Sequence, residues 1–146
     1  MIIESKNFES ARKEISKAKK PIIFSSNDDE LNRKILEKTK IDILLISQKG
    51  RKDFQKQRNS GLNHVLAKIA KKNKIAIGIN LDEIVSASAR AKAEILARVK
   101  QNARLCNKNK LKMKFITQDK KNSRNIYDLK SLGLVLGMPT WMTQGL

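Results

Sequence analysis

At 146 residues with 40% hydrophobic content, the chain has room for one core and one domain, residues 1–146, and is too apolar for a disordered tail. Thirty-two Lys and Arg against fourteen Asp and Glu leave a net charge of +18, which points to a polyanion, either nucleic acid or an acidic membrane surface. Only six aromatics argue against binding chiefly by stacked bases, no apolar run approaches the roughly 20 residues that span a bilayer, and residues 1–20 lack a secretory pattern.

Met1–Glu4 reads as a frayed strand, and Phe8, Ala11, Ile15 and Ala18 repeat at helical spacing. Pro21–Ser26 is the first full strand. Asn27 or Asp28 then caps a helix whose first turn holds Asp28, Asp29 and Glu30 and whose stripe is Leu31, Ile35 and Leu36. Ile41–Ser47 is the next strand, followed by a basic loop, Gln48–Arg58. Asn59 or Ser60 caps a helix with Leu62, Val65, Leu66 and Ile69 on one face, and Asn73 is a left-handed stop. Lys74–Asn80 is the third strand. Asp82 and Glu83 behind it read as a helix-start pair or a Mg²⁺-binding pair. Ser88–Cys106 is the longest helix, Leu111–Thr117 the last strand and Asn125–Leu136 the last helix.

Strand and helix alternate, so the fold class is α/β with a parallel sheet of about five strands and right-handed crossovers. A closed (β/α)₈ barrel takes about 250 residues, so this chain is a truncated or open TIM-barrel-like fold. Such folds gather functional groups at the carboxyl ends of their strands. Here those ends carry Ser25, Ser26, Ser47, Asn80, Thr117 and Gln118, which either line a site or simply end strands. Metal-dependent hydrolysis needs several His and acidic groups converging there, and the strand ends have none. The single Cys106 lies on an apolar helix face and belongs to the core. One cysteine builds no disulfide framework, in keeping with a reducing cytoplasm.

Thirteen of the eighteen excess charges lie between Arg58 and Arg124. On the longest helix, Ala91, Ile95, Val99, Ala103 and Cys106 span an arc of about 120°, while Arg90, Lys100 and Arg104 fall on a separate arc of about 80° with Arg98 flanking the apolar one. Guanidinium forks take phosphate oxygens bidentately, so this face is either a phosphate-binding surface or a soluble one. The Gln48–Arg58 loop adds Lys49, Arg51, Lys52, Lys56 and Arg58, with Phe54 either stacking on a base or packing back. Lys108, Lys110, Lys112 and Lys114 alternate into the last strand as a basic face or a protected edge. His64 can donate to a phosphate or to a backbone carbonyl.

The stretch Arg58-Asn-Ser-Gly-Leu-Asn-His-Val-Leu-Ala-Lys-Ile-Ala-Lys-Lys-Asn-Lys-Ile-Ala-Ile-Gly-Ile-Asn-Leu81 resembles the central signature of archaeal ribonuclease P protein component 3, the relative of the human thirty-kilodalton ribonuclease P subunit. Ile41–Ile46, Arg90 and the terminal Leu132–Met138 match as well, so the resemblance runs from about Ile22 to Met138. It implies a barrel related to polymerase and histidinol phosphatase (PHP) domains without their metal site. It also implies a protein cofactor of ribonuclease P RNA in the removal of 5′ leaders from precursor tRNA, beside a small ferredoxin-like subunit. Arg58, His64, Asn80 and Arg90 fall on matching positions. With Arg51, Lys68, Arg98, Lys100 and Arg104 they are the expected RNA-binding residues. No cofactor is expected on the chain itself, Mg²⁺ belonging to the RNA, and no membrane partner is expected.

The first strand–helix units of the family are expected to be absent or vestigial, which leaves barrel closure open, so that an open edge favours a partner protein or self-association. Thr117-Gln118-Asp119 departs from the family's Ser-Asp or Ser-Ala pair. The rival readings are a degenerate or metal-independent barrel hydrolase and a general basic nucleic-acid binder.

Overall fold

Five short parallel strands are laid side by side in the order in which they occur in the chain, β1-β2-β3-β4-β5. The computed structural model describes residues 1–146. The strands are β1 (Ile2–Glu4), β2 (Ile23–Ser26), β3 (Ile43–Ile46), β4 (Ala76–Asn80) and β5 (Met113–Ile116). Between them lie α1 (Phe8–Lys17), α2 (Asp29–Lys38), α3 (His64–Lys72), α4 (Leu81–Ser86) and α5 (Ala89–Lys108), and α6 (Ile126–Val135) and α7 (Thr140–Gln144) follow β5. Sequential order with right-handed crossovers puts the connecting helices on one face, as in an arc cut from a barrel. The sheet does not close, and β1 and β5 are both unpaired edges.

Register decides which side chains are buried. Ile3, Phe24, Leu44, Ile77 and Met113 stand in one row, each at most 2% exposed, on the face the helices cover. Ala11, Ile35, Ala67, Ala70, Val99, Ala103 and Cys106 meet them there. Burial pushes the Cys106 thiol up to about 12, so it behaves as a core residue. The opposite face turns polar toward the carboxyl ends, where Glu4, Ser25, Leu45, Gly78 and Lys114 form one row. Gly78 is there because a Cβ would come within 3.0 Å of Ile43 and Leu45.

The strands fall where the apolar runs place them. Met1–Glu4, expected to be frayed, pairs with β2 over Ile2–Glu4 and is followed by the full helix α1. α3 begins later than expected: Asn63 caps it by accepting from Leu66 N–H at 2.9 Å, because Leu62 turns into the core ahead of the helix. α7 had no counterpart in the sequence reading. Its five residues are too few to show a period.

Candidate nucleic-acid interface

The carboxyl end of the sheet is a groove of about 1010 Å³ whose lining includes Ser25, Ser26, Ser47, Asn80 and Gln118. Leu45 is its one apolar wall, and Glu4, Glu14, Asp28 and Glu83 outnumber Lys6. The strand-end row therefore does line a depression, but an acidic one. Two of its carboxylates, Glu83 and Asp28, are engaged. Glu83 accepts from the Ser47 hydroxyl and from Gln48 N–H at 2.9 Å, and Asp28 caps α2 through Glu30 and Leu31 N–H. Asn80, an expected RNA contact, caps α4 by accepting from Glu83 N–H at 3.3 Å. Asp82 accepts from Thr117 Oγ1 at 2.7 Å, Gln118 N–H at 2.8 Å and Asn122 Nδ2 at 2.9 Å. Burial raises its pKa, but these donors outweigh burial and hold the carboxyl below the ordinary aspartate value. Asp82 and Glu83 start the helix as expected, and beyond that each ties down a neighbouring loop. No group of three or more His, Cys, Asp or Glu could hold a metal ion.

Two of the expected RNA-binding arginines stand inside this architecture. Arg51 lies over Gly61, donating to both carboxylate oxygens of Asp29 at 2.8 and 3.0 Å and to the Ser47 carbonyl at 2.6 Å. Arg98 is 3% exposed and donates to Asp53 at 2.9 Å and to the Gln48 and Arg51 carbonyls at 3.2 and 2.7 Å. Its hydrogen bond, ahead of the cost of burial, lowers the pKa of Asp53. Both guanidinium groups are paired with carboxylates distant in the chain, Asp29 22 residues from Arg51 and Asp53 45 residues from Arg98. Such pairs cannot be read from local spacing, and they turn these two guanidinium groups toward the protein rather than toward solvent.

The remaining candidates are outside, on two adjoining helices. Arg90, Lys100 and Arg104 are exposed on α5 opposite its buried stripe, and Arg90 meets Glu94 only loosely at 3.7 Å. His64 and Lys68 share an exposed face of α3 with Lys71 and Lys72, and α3 lies against α5. Arg58 joins them because α5 grips its loop. Gln101 donates to the Arg58 carbonyl at 3.2 Å and Asn102 to the Ser60 carbonyl at 3.1 Å. Arg58 keeps its guanidinium at the surface, touching Asp53 at 3.3 Å. Exposed basic side chains thus stand on α3, α5 and the end of the β3–α3 loop, three elements that touch one another.

The sequence reading missed the densest charge. Each turn that leads from a helix into the next strand is lysine-rich: Lys17, Lys19 and Lys20 before β2, Lys38 and Lys40 before β3, Lys71, Lys72 and Lys74 before β4, and Lys108, Lys110 and Lys112 before β5. All eleven are exposed, at the amino end of the sheet, with only Glu37 and Asp42 among them. Lys108, Lys110 and Lys112 precede β5 rather than lining a face of it, and Lys114, within β5, points to the Gly145 carbonyl. Lysine recurring just ahead of each apolar run was the available signal.

A model of the family described as RNase P subunit p30 matches residues 1–142. Ribonuclease P protein component 3 of Methanosarcina mazei is 31% identical over 110 residues, covering 75% of this chain and 41% of the relative. That of Methanocaldococcus jannaschii is 30% identical over 104 residues, covering 70% and 42%. The chain thus spans less than half the length of either relative. A chain of a solved assembly described as a cryo-EM structure of archaeal Ribonuclease P with mature tRNA shares the fold, with a TM-score of 0.82 at 24% identity over 98% of this chain and 62% of that one.

Proposed function

The chain belongs to the RNase P subunit p30 family, and on that premise we propose that it is an RNA-binding, non-catalytic subunit of a cytoplasmic ribonuclease P. The catalytic RNA, with its Mg²⁺, removes 5′ leaders from precursor tRNA. The protein neutralises phosphate and holds the active RNA fold. The observation that carries this reading is the set of exposed basic side chains Arg58, His64, Lys68, Arg90, Lys100 and Arg104 on elements packed against one another, whose carboxylate contacts are Asp53 and Glu94. The end of the fold where barrel enzymes keep their chemistry works against the hydrolase reading, because Asp28, Asp82 and Glu83 there are engaged as a helix cap and loop ties. The unpaired β1 and β5 edges suit a small ferredoxin-like subunit, whose sheet could cover one of them, or a second copy of the chain. No helix is long and apolar enough to cross a membrane.

The test is reconstitution of precursor-tRNA cleavage at low Mg²⁺ from the RNA and a ferredoxin-like subunit, with and without this protein. Cleavage is expected to rise when the protein is added, and the protein alone to cleave nothing. Cleavage that is unchanged by folded protein across a Mg²⁺ titration would overturn the reading.

A further inference from the structure

Three helices of this fold end in the same hydrogen-bonded turn. In α6, Gly137 N–H donates to the Leu134 carbonyl and Met138 N–H to the Gly133 carbonyl at 2.9 Å, with Gly137 left-handed at φ 89°. α3 closes the same way, with Lys74 N–H on Lys71 and Ile75 N–H on Ala70 at 2.9 Å. α5 repeats it, with Lys110 N–H on Asn107 and Leu111 N–H on Cys106 at 2.8 Å. There the left-handed residues are Lys74 at φ 56° and Lys110 at φ 55°. Glycine takes that conformation freely and a side chain does not. Asn73, expected to be the left-handed residue of α3, sits at φ −91° instead.

Both lysines line one hollow of about 540 Å³ between the starts of β4 and β5, together with Lys71, Lys112 and Trp141. The hollow has no carboxylate in its lining. Lys71 Nζ donates to the Lys110 carbonyl at 2.9 Å, bringing the two turns together. The Lys110 ammonium lies 5.5 Å from the centre of the Trp141 ring, and the indole N–H is fixed on Asn107 Oδ1 at 3.1 Å. Lysines in a last helical turn offset the helix dipole, which accounts for Lys71, Lys72 and Lys108. It does not account for lysine at the left-handed position. That position follows a turn already charged in α3 and α5, and α6 fills it with glycine.

We propose that this hollow binds an unpaired nucleotide of an RNA strand, its base on Trp141 and its flanking phosphates on Lys71, Lys74, Lys110 and Lys112. The proposal rests on the reading of the chain as an RNA-binding subunit and gives that reading a single-stranded subsite at the amino end of the sheet. Four ammonium groups hold phosphates without fixing their orientation. A tethered indole adds a face that only an unstacked base can meet.

Trp141 is the sole tryptophan, so its fluorescence reports on this hollow alone. A short single-stranded RNA is expected to quench it on binding, while a blunt duplex of equal length binds without quenching. The double variant K74G/K110G should keep or gain Tm while losing about tenfold in single-strand affinity. K17A/K19A, which removes equal charge from the far end of the same rim, should leave quenching intact. RNA binding without quenching, or undiminished single-strand affinity in K74G/K110G, overturns the subsite and leaves the RNA-binding reading standing. Equal quenching by poly-glutamate overturns the nucleotide assignment. Failure to bind any RNA overturns both.

Discussion

The two ends of the sheet differ in charge, in residue type and in how their side chains are held. At the carboxyl end, acids outnumber bases around the groove and arginines are locked: Asp29 holds Arg51, Asp53 holds Arg98, and Asp82 and Glu83 fasten loops. At the amino end, eleven exposed lysines and no arginine meet two acids, an excess of nine out of the +18. Charge in the first region is largely structural, because Asp28, Asp29, Asp53, Asp82 and Glu83 each have short-range partners. Charge in the second has almost none, so its field extends into solvent. The fold thus keeps a barrel's geometry while placing its electrostatic weight away from the end where barrels do chemistry.

The largest effect that tests this contrast is Arg98→Ala. It removes the side-chain donor to the Arg51 carbonyl, one of two donors to the Gln48 carbonyl and the nearest cation of Asp53, which keeps Arg58 and Asn59 N–H, and should cost about 3 kcal/mol of stability in urea unfolding. Full stability with a reduced salt dependence of RNA binding would show that this guanidinium faces RNA after all. Next is the triple variant R90A/K100A/R104A, expected to flatten the log–log salt slope of RNA binding by about 2 to 3 and to weaken binding about 100-fold. Circular dichroism should show folding intact, since surface changes stay within about ±0.5 kcal/mol each. The paired control S25A/S47A in the groove should leave the slope unchanged.

Smaller effects sharpen the carboxyl end. Gly78→Ala should cost about 1 to 2 kcal/mol in the same urea assay, because Ile43 and Leu45 must move to admit the methyl group. Acid should act here first. Asp53 and Asp82 are held below the ordinary aspartate value of 3.8, so their stabilisation is complete above it and is lost as pH falls through their lower folded values. The variant D53N/D82N should start less stable and show a shallower fall in acid, measured as unfolding free energy against pH. An unchanged acid limb would mean that neither carboxylate is held by its partners.

Much of this fold is legible in the chain. β2, β3 and β4 stand out as short apolar runs, buried in the middle of the sheet, that turn polar only at or just beyond their carboxyl ends. Asp28 and Asn125 announce their helices by the capping chemistry they perform. What local pattern could not show was which cations are already paired. Arg51 looks like Arg58 in sequence and only a long-range partner separates them, whereas Arg98 was set apart from Arg90 by its place beside the apolar arc, with Asp53 still hidden. Dividing the chain into consecutive segments also hid the lysine rim, whose members are scattered through four turns and meet only at one end of a parallel sheet.

Acids at one pole and lysines at the other give the molecule a permanent electric dipole running roughly along its strands. In the field of a polyanion such a body feels torque as well as attraction, so it should turn its amino end forward before contact, and encounters should be faster than random orientation allows. Added salt should erase that advantage in the association rate. Arrival in this attitude leaves the groove pointing away from the RNA, open to whatever else the assembly brings.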